Sequence, residues 1–286
     1  MNKIETNIII CGDSKEVLKK MPNNSIHLCC TDGPYMIDFM GKEFDKSKDN
    51  IVEDIDFWKE VLRVLKPGGY LLSFGGTRTY HRMVTAVEKA GFEIRDMIEW
   101  VYASGFPKSL NVQKSMKKRG LNGSAWKGYG TALKPAHEPI CVARKPLSEK
   151  SVVDNVLKWG TGSLNIDDCR IPYESEDAKS QVGSTKKYKS GFSSVKGWQK
   201  GNDNVVIGNK QGRFPANILV QDDVLNDGRI TKSISHLRKN KVGSKIYGGG
   251  QGIPPINDPS GPHDSGSFSR YFDLDKWYEK QIKSIK

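Results

Sequence analysis

The sequence predicts an α/β fold in which helices cover a parallel sheet. Two observations predict it. Over residues 7–101, apolar runs rich in β-branched residues alternate with segments whose apolar residues recur at helical spacing, and glycine, proline or aspartate stands near the changes between them. A chain of 286 residues can bury a substantial core, as one large domain or two small ones. In such a fold, ligands bind at the carboxyl ends of the strands.

The first predicted elements are a strand, a helix and a second strand. The strand covers residues 7–11, and Asp13 is expected to cap a helix that runs to about Met21. Glu16 stands three residues after Asp13, in an arrangement like a capping box. The second strand covers residues 26–31.

Further helices and strands follow in the same alternation. Residues 55–65 place apolar side chains at helical spacing, and the sequence Lys-Pro-Gly-Gly at 66–69 ends that helix. The remaining predicted elements are a strand over 70–74, a helix over 77–90, a strand over 92–101 and a strand over 140–143.

The net charge of +12 is concentrated in segments. Residues 1–104 carry 14 basic and 16 acidic side chains, residues 105–150 carry 10 against 2, and residues 179–213 carry 8 against 1. Aromatic residues stand among the lysines of both basic segments, as on surfaces that bind nucleic acid. We therefore expect a polyanion-binding surface beside a nearly neutral core. The alternative is that these lysines only keep loops soluble.

Two classes of protein are not expected from the composition. No stretch approaches the roughly 18 uncharged apolar residues of a membrane helix, and the polar N-terminus lacks the apolar part of a signal peptide. We therefore expect a cytoplasmic protein without membrane contact. The five cysteines are odd in number and lack CxxC spacing, so buried free thiols are expected rather than disulfides or a metal site.

The tetrapeptide Asp32-Gly33-Pro34-Tyr35 follows the predicted strand at 26–31 and carries the clearest chemical information. The strand delivers a carboxylate, a turn that presents a main-chain carbonyl, and an aromatic ring to one place. These groups can accept hydrogen bonds from an exocyclic amine while stacking on its ring, as enzymes treat a nucleobase turned out of a duplex. The motif therefore predicts a nucleobase site at the end of this strand.

The order of these motifs resembles the amino-group DNA methyltransferases of the permuted β class, in which the catalytic motif precedes the cofactor motif. Residues 126–140, 155–170 and 212–217 strengthen the resemblance with a pattern like that of phage and prophage adenine methylases, and it covers about residues 7–217. It implies a Rossmann-like methyltransferase sheet, incomplete in this chain. It also implies S-adenosylmethionine as methyl donor and double-stranded DNA as substrate. The acidic first position of the tetrapeptide favours adenine-N6 over cytosine-N4.

The resemblance also implies roles for single residues. The positions matching Asp32 and Gly33 accept hydrogen bonds from the target amine, Pro34 belongs to the same catalytic motif, and Tyr35 would stack on the flipped base. The family has proline where this chain has Gly33, which removes a restraint from the carbonyl. Asp13 matches an acid that contacts the adenosine part of the cofactor, unless it only caps the helix. Asp32 is also expected to lie beside the cofactor.

Three residues before the predicted strand at 140–143 are candidates for substrate binding. His137 and Glu138 could contact the target base, or they could simply begin the strand. Lys134 stands just before them in the segment that resembles the family, and we expect it to contact the substrate as well.

The resemblance fails at the cofactor motif. Relatives carry a Phe-x-Gly-x-Gly strand and turn after the recognition region, and this sequence contains no such segment. The glycines at 160–162 and at 248–252 lack a strand–turn–helix context and are interpreted as loops. We therefore expect a split enzyme, a heterodimer whose second subunit supplies the cofactor motif. The alternative is a non-catalytic DNA-binding protein derived from the same fold. RNA in place of DNA as the substrate is a less favoured variant.

The predicted organisation has three parts. Residues 1–149 form the catalytic core, and residues 150–266 form an irregular, basic target-recognition region. Residues 267–286 form a C-terminal tail in which Asp275, Trp277, Tyr278 and Ile282 could contact the second subunit.

Overall fold

The computed structural model describes residues 7–37, 51–173, 185–187, 204–206, 211–221, 223–226, 228–232 and 265–285. The chain forms two compact units: the first is Met1–Leu164 with Asn217–Gln221, and the second is Asn165–Ala216 with Asp222–Lys286. Within the described ranges, no helix is long and apolar enough to cross a lipid bilayer.

The described elements are as follows in chain order. The helices are α1 (Ser14–Lys20), α2 (Ile55–Val64), α3 (Tyr80–Lys89), α4 (Val112–Lys118), α5 (Val152–Trp159) and α6 (Leu274–Ile285). The strands are β1 (Ile26–Asp32), β2 (Leu65–Phe74), β3 (Glu93–Val101), β4 (His137–Arg144), β5 (Thr185–Lys187), β6 (Asn204–Val206), β7 (Ile218–Val220), β8 (Thr231–Lys232) and β9 (Ser265–Gly266).

A five-stranded sheet with the order β1-β2-β4-β3-β7 forms the centre of the first unit. β1 pairs with β2 in parallel and β3 pairs with β7 in parallel, whereas β4 is antiparallel to both β2 and β3. The predicted alternation of helices and strands is confirmed between residues 14 and 144. The predicted parallel arrangement is confirmed for β1, β2 and β3, which run in the same direction. β4, for which no direction was predicted, lies antiparallel between β2 and β3, and as the antiparallel neighbour of β3 it needs no crossover helix.

The hydrophobic core lies where α2 and α3 pack on this sheet. Trp58 and Val61 of α2 and Val87 of α3 are buried against Leu71 of β2. The N-cap Asp54 accepts hydrogen bonds from two backbone amides and starts α2, as its position before an amphipathic segment requires. The Trp58 indole Nε1 donates to the Val52 carbonyl at 2.9 Å, which fixes the turn before α2 beneath the end of β1.

The predicted strand at residues 7–11 is wrong. These residues are irregular and exposed, and Ile9 is fully exposed. A β-branched run forms a strand only against a partner, and the described residues offer it none. The next prediction is confirmed, because Asp13 caps α1 by accepting from the Lys15 amide at 2.8 Å. Glu16 accepts from the Lys19 ammonium at 2.7 Å.

Buried polar groups close the sheet at the end opposite to Asp32. Asn155 of α5 is fully buried; it donates to the carbonyls of Pro67 at 2.9 Å and Thr161 at 2.8 Å. Its side-chain oxygen accepts from the Ser148 amide at 3.2 Å. Gly160 ends α5 with φ 71°, in the left-handed region that favours glycine. The glycines at 160–162 are therefore a helix cap and a loop, as predicted.

The second unit is held by cation–aromatic contacts. The Arg213 guanidinium lies 5.0 Å from the ring centre of Tyr173 and 5.1 Å from that of Tyr271. In α6, the Trp277 indole donates to the Asp168 carbonyl at 2.7 Å, whereas the Tyr278 side chain is exposed. Trp277 therefore packs within its own unit, and Tyr278 remains a candidate for contact with another chain.

The predictions for the cysteines are confirmed only in part. Cys141 is buried and Cys29 is half-buried as free thiols, but Cys11, Cys30 and Cys169 are exposed, so burial was wrongly predicted for these three. The glycine cluster at 248–252 and most of the basic cluster around residues 186–198 lie outside the described residues.

Candidate active site

The predicted catalytic motif lies at the carboxyl end of β1. Asp32 ends β1 and pairs in register with Phe74, which ends β2. The Gly75 amide then donates to the Pro139 carbonyl at 3.0 Å, so the first residues of β4 reach the same edge of the sheet. This edge therefore gathers the ends of β1 and β2 and the beginning of β4, although the motifs are far apart in the sequence.

Tyr35 is fixed at three points at this edge. Its phenol donates to Glu138 Oε2 at 2.7 Å, and its main-chain carbonyl accepts from Thr79 Oγ1 at 2.5 Å. Gly76 borders the ring: a Cβ there would lie 3.1 Å from Tyr35 Cβ and 3.4 Å from Cδ2. Met36 follows with φ 55°, a strained value for a buried side chain. The ring thus has a defined position before any ligand binds.

Glu138 connects two phenols. Its Oε1 accepts from the Tyr102 hydroxyl at 3.2 Å, while Oε2 serves Tyr35. Burial raises the pKa of Tyr35 far above its usual value, and the neighbouring carboxylates of Glu138 and Asp32 raise it further. Burial and then Glu138 raise the pKa of Tyr102 in the same direction. Both phenols therefore stay protonated and act as hydrogen-bond donors.

The packing around Gly33 accounts for the glycine in place of the family's proline. A Cβ at Gly33 would lie only 2.8 Å from Val52 Cγ1, and Val52 is buried in the core. A residue with a side chain therefore does not fit here without movement of Val52. Pro34 beside it is half-buried, and the Asp32 side chain is exposed and open to a ligand.

The other predicted site residues have local partners. Asp13 caps α1, and its predicted cofactor contact stays a prediction. His137 begins β4 opposite Val101 and is half-buried, so the pair His137 and Glu138 does begin the strand. Lys134 is exposed, and its ammonium donates to the Ala103 carbonyl. Contact of these residues with a substrate stays a prediction.

Sequence reasoning missed Tyr102 and Thr79. Tyr102 directly follows β3, whose carboxyl end lies at the active edge, so its position in an α/β alternation was the available signal. Thr79 carries no comparable signal, because its bond to the Tyr35 carbonyl joins residues 44 positions apart.

The connection between β3 and β4, residues 102–136, forms what we call the basic insertion. It leaves and re-enters the sheet at one place, where the Tyr102 amide donates to the Ala136 carbonyl at 3.0 Å. The rings of Trp126 and Tyr129 lie 5.1 Å apart and are exposed, as are the lysines of α4. Exposed rings among lysines suit a ligand with bases and phosphates.

A cofactor pocket with closely spaced glycines is not formed by the described residues. The glycines at 160–162 cap α5, at the end of the sheet opposite to Asp32. β1 is an edge strand of the five-stranded sheet, and no described strand pairs with its outer side. The described residues at this edge therefore suit a flipped base, and they do not by themselves form a site for the methyl donor.

Comparison with known proteins identifies relatives over most of the chain. The family of N6/N4 methyltransferases, described as DNA methylase, matches residues 26–241. The type II methyltransferase M.HindIII of Haemophilus influenzae is 29% identical over 195 residues, which are 54% of this chain and 63% of that protein. M.HpaI of Haemophilus parainfluenzae is 32% identical over 108 residues, 35% of this chain and 33% of that protein. The chain thus spans less than two thirds of the length of either relative.

Solved structures show only distant similarity. The PvuII cytosine-N4-specific DNA methyltransferase is 18% identical, with a TM-score of 0.31 and coverage of 54% of each chain. M1.HpyAVI in complex with S-adenosylmethionine is 18% identical, with a TM-score of 0.30 and coverage of 47% of this chain and 52% of that one. The family match, in contrast, covers most of the sequence. The chain belongs to the N6/N4 family of DNA methylases.

Proposed function

We propose that this chain is the base-binding subunit of a DNA adenine-N6 methyltransferase, and that a second polypeptide supplies the glycine motif for S-adenosylmethionine. The main support for this proposal is the arrangement of side chains at the end of β1. There the exposed Asp32 carboxylate stands beside a Tyr35 ring that Glu138, Thr79 and Gly76 hold in place. A fixed ring beside an exposed carboxylate is what an exocyclic amine on a flipped base requires.

The chemistry assigned to this chain is positioning. S-adenosylmethionine, when bound, supplies an electrophilic methyl group. The Asp32 carboxylate and the Gly33 carbonyl accept hydrogen bonds from the target amine and raise the electron density on its nitrogen. Stacking on Tyr35 holds the base so that this nitrogen points in one direction, and a fixed approach provides much of the rate. No covalent intermediate on the protein is needed.

DNA binding is assigned to the basic parts of the chain. The basic insertion joins β3 and β4 at the same edge as Asp32, so we expect a duplex bound there to lie next to the site. Its lysines would contact phosphates, and its exposed rings would contact bases. The basic region over residues 150–266 is assigned to target recognition.

Two features of the first unit support a second polypeptide. The outer side of β1 presents unpaired backbone groups to solvent among the described residues, and Leu28 on this strand is half exposed. Ile8, Ile9 and Ile10 are exposed by 49, 101 and 57%. Burying one isoleucine is worth about 1.5–3 kcal/mol, so three consecutive exposed isoleucines favour contact with another polypeptide. A polypeptide that adds strands to β1 would place its glycine turn next to Asp32.

The catalytic proposal is tested in cells. The chain is expressed together with the polypeptide encoded beside it, and the nucleosides of the host DNA are analysed by mass spectrometry. N6-methyladenine should appear with the wild-type chain and be absent with Asp32→Ala. N4-methylcytosine in its place would overturn the adenine assignment. Undiminished N6-methyladenine with Asp32→Ala would overturn the assigned role of this carboxylate.

The second polypeptide is tested by thiol protection and by calorimetry. Cys11 stands beside the exposed isoleucines and Cys30 lies on β1, whereas Cys169 is exposed in the second unit. The partner should slow alkylation of Cys11 and Cys30 by iodoacetamide and leave the rate at Cys169 unchanged. Unchanged rates at all three thiols would place the partner elsewhere. Tight binding of S-adenosylmethionine by the isolated chain in calorimetry would remove the need for a partner.

A further inference from the structure

We propose that Glu138 is a positioning residue. It accepts a hydrogen bond from the Tyr35 hydroxyl and so keeps this hydroxyl from donating to Asp32. The Asp32 carboxylate is then free to accept from the target amine. This inference rests on the proposed function and deepens it. It differs from the expectation that Glu138 touches the target base, because here Glu138 acts through Tyr35.

The geometry supplies one phenol proton and two carboxylates that can accept it. The Tyr35 hydroxyl donates to Glu138 Oε2 at 2.7 Å, a normal length for a charged hydrogen bond. Asp32 stands three residues before Tyr35 in the same motif, and its carboxylate also contributes to the raised pKa of Tyr35. A phenol has a single proton, so it donates fully to one carboxylate at a time. Glu138 holds this proton in the structure.

The second oxygen of Glu138 keeps the carboxylate in place for this task. Oε1 accepts from the Tyr102 hydroxyl at 3.2 Å, and Glu138 pairs with Trp100 in the register of β3 and β4. The side chain thus starts from a paired strand, whereas Asp32 is the exposed last residue of β1. The better anchored carboxylate, Glu138, accepts the hydrogen bond from the phenol, and the exposed carboxylate of Asp32 is left for a ligand.

Removal of Glu138 has a consequence that a simple contact with the base would not have. In Glu138→Ala, the Tyr35 hydroxyl turns to Asp32 and occupies part of the acceptor that the amine needs. The double variant Glu138→Ala with Tyr35→Phe has no phenol proton to misdirect. It should therefore recover activity compared with Glu138→Ala alone, although it carries one more substitution.

The test is a double-mutant cycle on single-turnover methyl transfer by the assembled enzyme. Glu138→Ala should lower the rate by about 10-fold to 100-fold, the range for loss of one charged hydrogen bond at a reacting group. Tyr35→Phe keeps the ring and should lose less. The double variant should match Tyr35→Phe. A double variant slower than both single variants, by the product of their losses, would show that Glu138 acts independently of the phenol and would overturn the inference.

Controls separate this outcome from misfolding and from failure of the proposed function. Glu138→Gln keeps an oxygen acceptor for Tyr35 and should stay within about threefold of the wild type. Glu149→Ala removes a carboxylate beyond the opposite end of β4, where it pairs with Lys158, and should not change the rate. A crystal structure of Glu138→Ala should show the Tyr35 hydroxyl bonded to Asp32; a hydroxyl turned elsewhere overturns the inference. Absence of methyl transfer by the wild-type enzyme would refute the proposed function. The position of the Tyr35 hydroxyl in the crystal structure of Glu138→Ala can be determined whether or not the enzyme is active.

Discussion

The substitution Gly33→Ala tests why this chain has glycine inside the predicted catalytic motif. The added Cβ would lie 2.8 Å from Val52 Cγ1, a separation that carbon atoms do not tolerate. Val52 is buried with 7% of its surface exposed, and its branched side chain has little freedom to move aside. Overpacking of this kind costs about 1–3 kcal/mol of unfolding free energy. The melting temperature should fall by about 2–4 °C for each kcal/mol in a domain of this size.

The measurement is urea denaturation followed by tryptophan fluorescence, with Gly12→Ala as the matched control. A Cβ at Gly12 meets only Val17 Cγ2 at 3.6 Å, an ordinary contact, so this variant should be as stable as the wild type or slightly more stable. In the Val52→Ala background, Gly33→Ala should lose most of its cost, because the obstructing methyl groups are gone. A full cost in that background, or a Gly33→Ala variant as stable as the wild type, would refute this explanation.

Three further predictions concern stability, pH dependence and DNA binding. Asn155→Ala should lower the unfolding free energy by about 2–4 kcal/mol, because its buried amide bonds the buried carbonyls of Pro67 and Thr161 and the Ser148 amide, whereas exposed Asn122→Ala should cost at most about 1 kcal/mol in urea denaturation. Burial raises the pKa of Cys29 and Cys141 from 9.0 to about 11, so stability should be full below pH 9 and fall as pH rises towards 11. Unfolding measured across this range should show a smaller fall in the variant with both thiols replaced by alanine. Replacing the three lysines of α4 with glutamine should reduce the salt slope of DNA affinity by up to about 3 in fluorescence anisotropy, and an unchanged slope would exclude α4 from the interface.

Local patterns were sufficient for most of the elements around the core. α2 ends at Val64, just before the Lys-Pro-Gly-Gly segment, because its apolar spacing ends there and the proline cannot continue a helix. The cap at Asp13 was predictable for the same reason, since a cap is a bond between neighbours in the sequence. The position of Asp32 at the end of a strand was predictable because β1 has both a clear apolar run and a clear end.

Features that depend on distant partners were not predictable. The apolar run at residues 8–10 has every local property of a strand, yet a strand needs a partner that local composition does not supply. The alternation of elements also does not encode the direction of β4. The bond between Tyr35 and Glu138 joins residues 103 positions apart, and it exists only because β4 inserts beside β2.

The reversed direction of β4 has a further consequence for how this edge can change. An antiparallel pair needs only a short turn between its strands. The pairing of β3 with β4 therefore does not require a connection as long as residues 102–136. The entropic cost of a longer connection grows only slowly with its length. The segment can therefore be exchanged, shortened or extended while Glu138 and the end of β1 keep their places. New binding preferences can arise in this loop without a change in the groups at the end of β1.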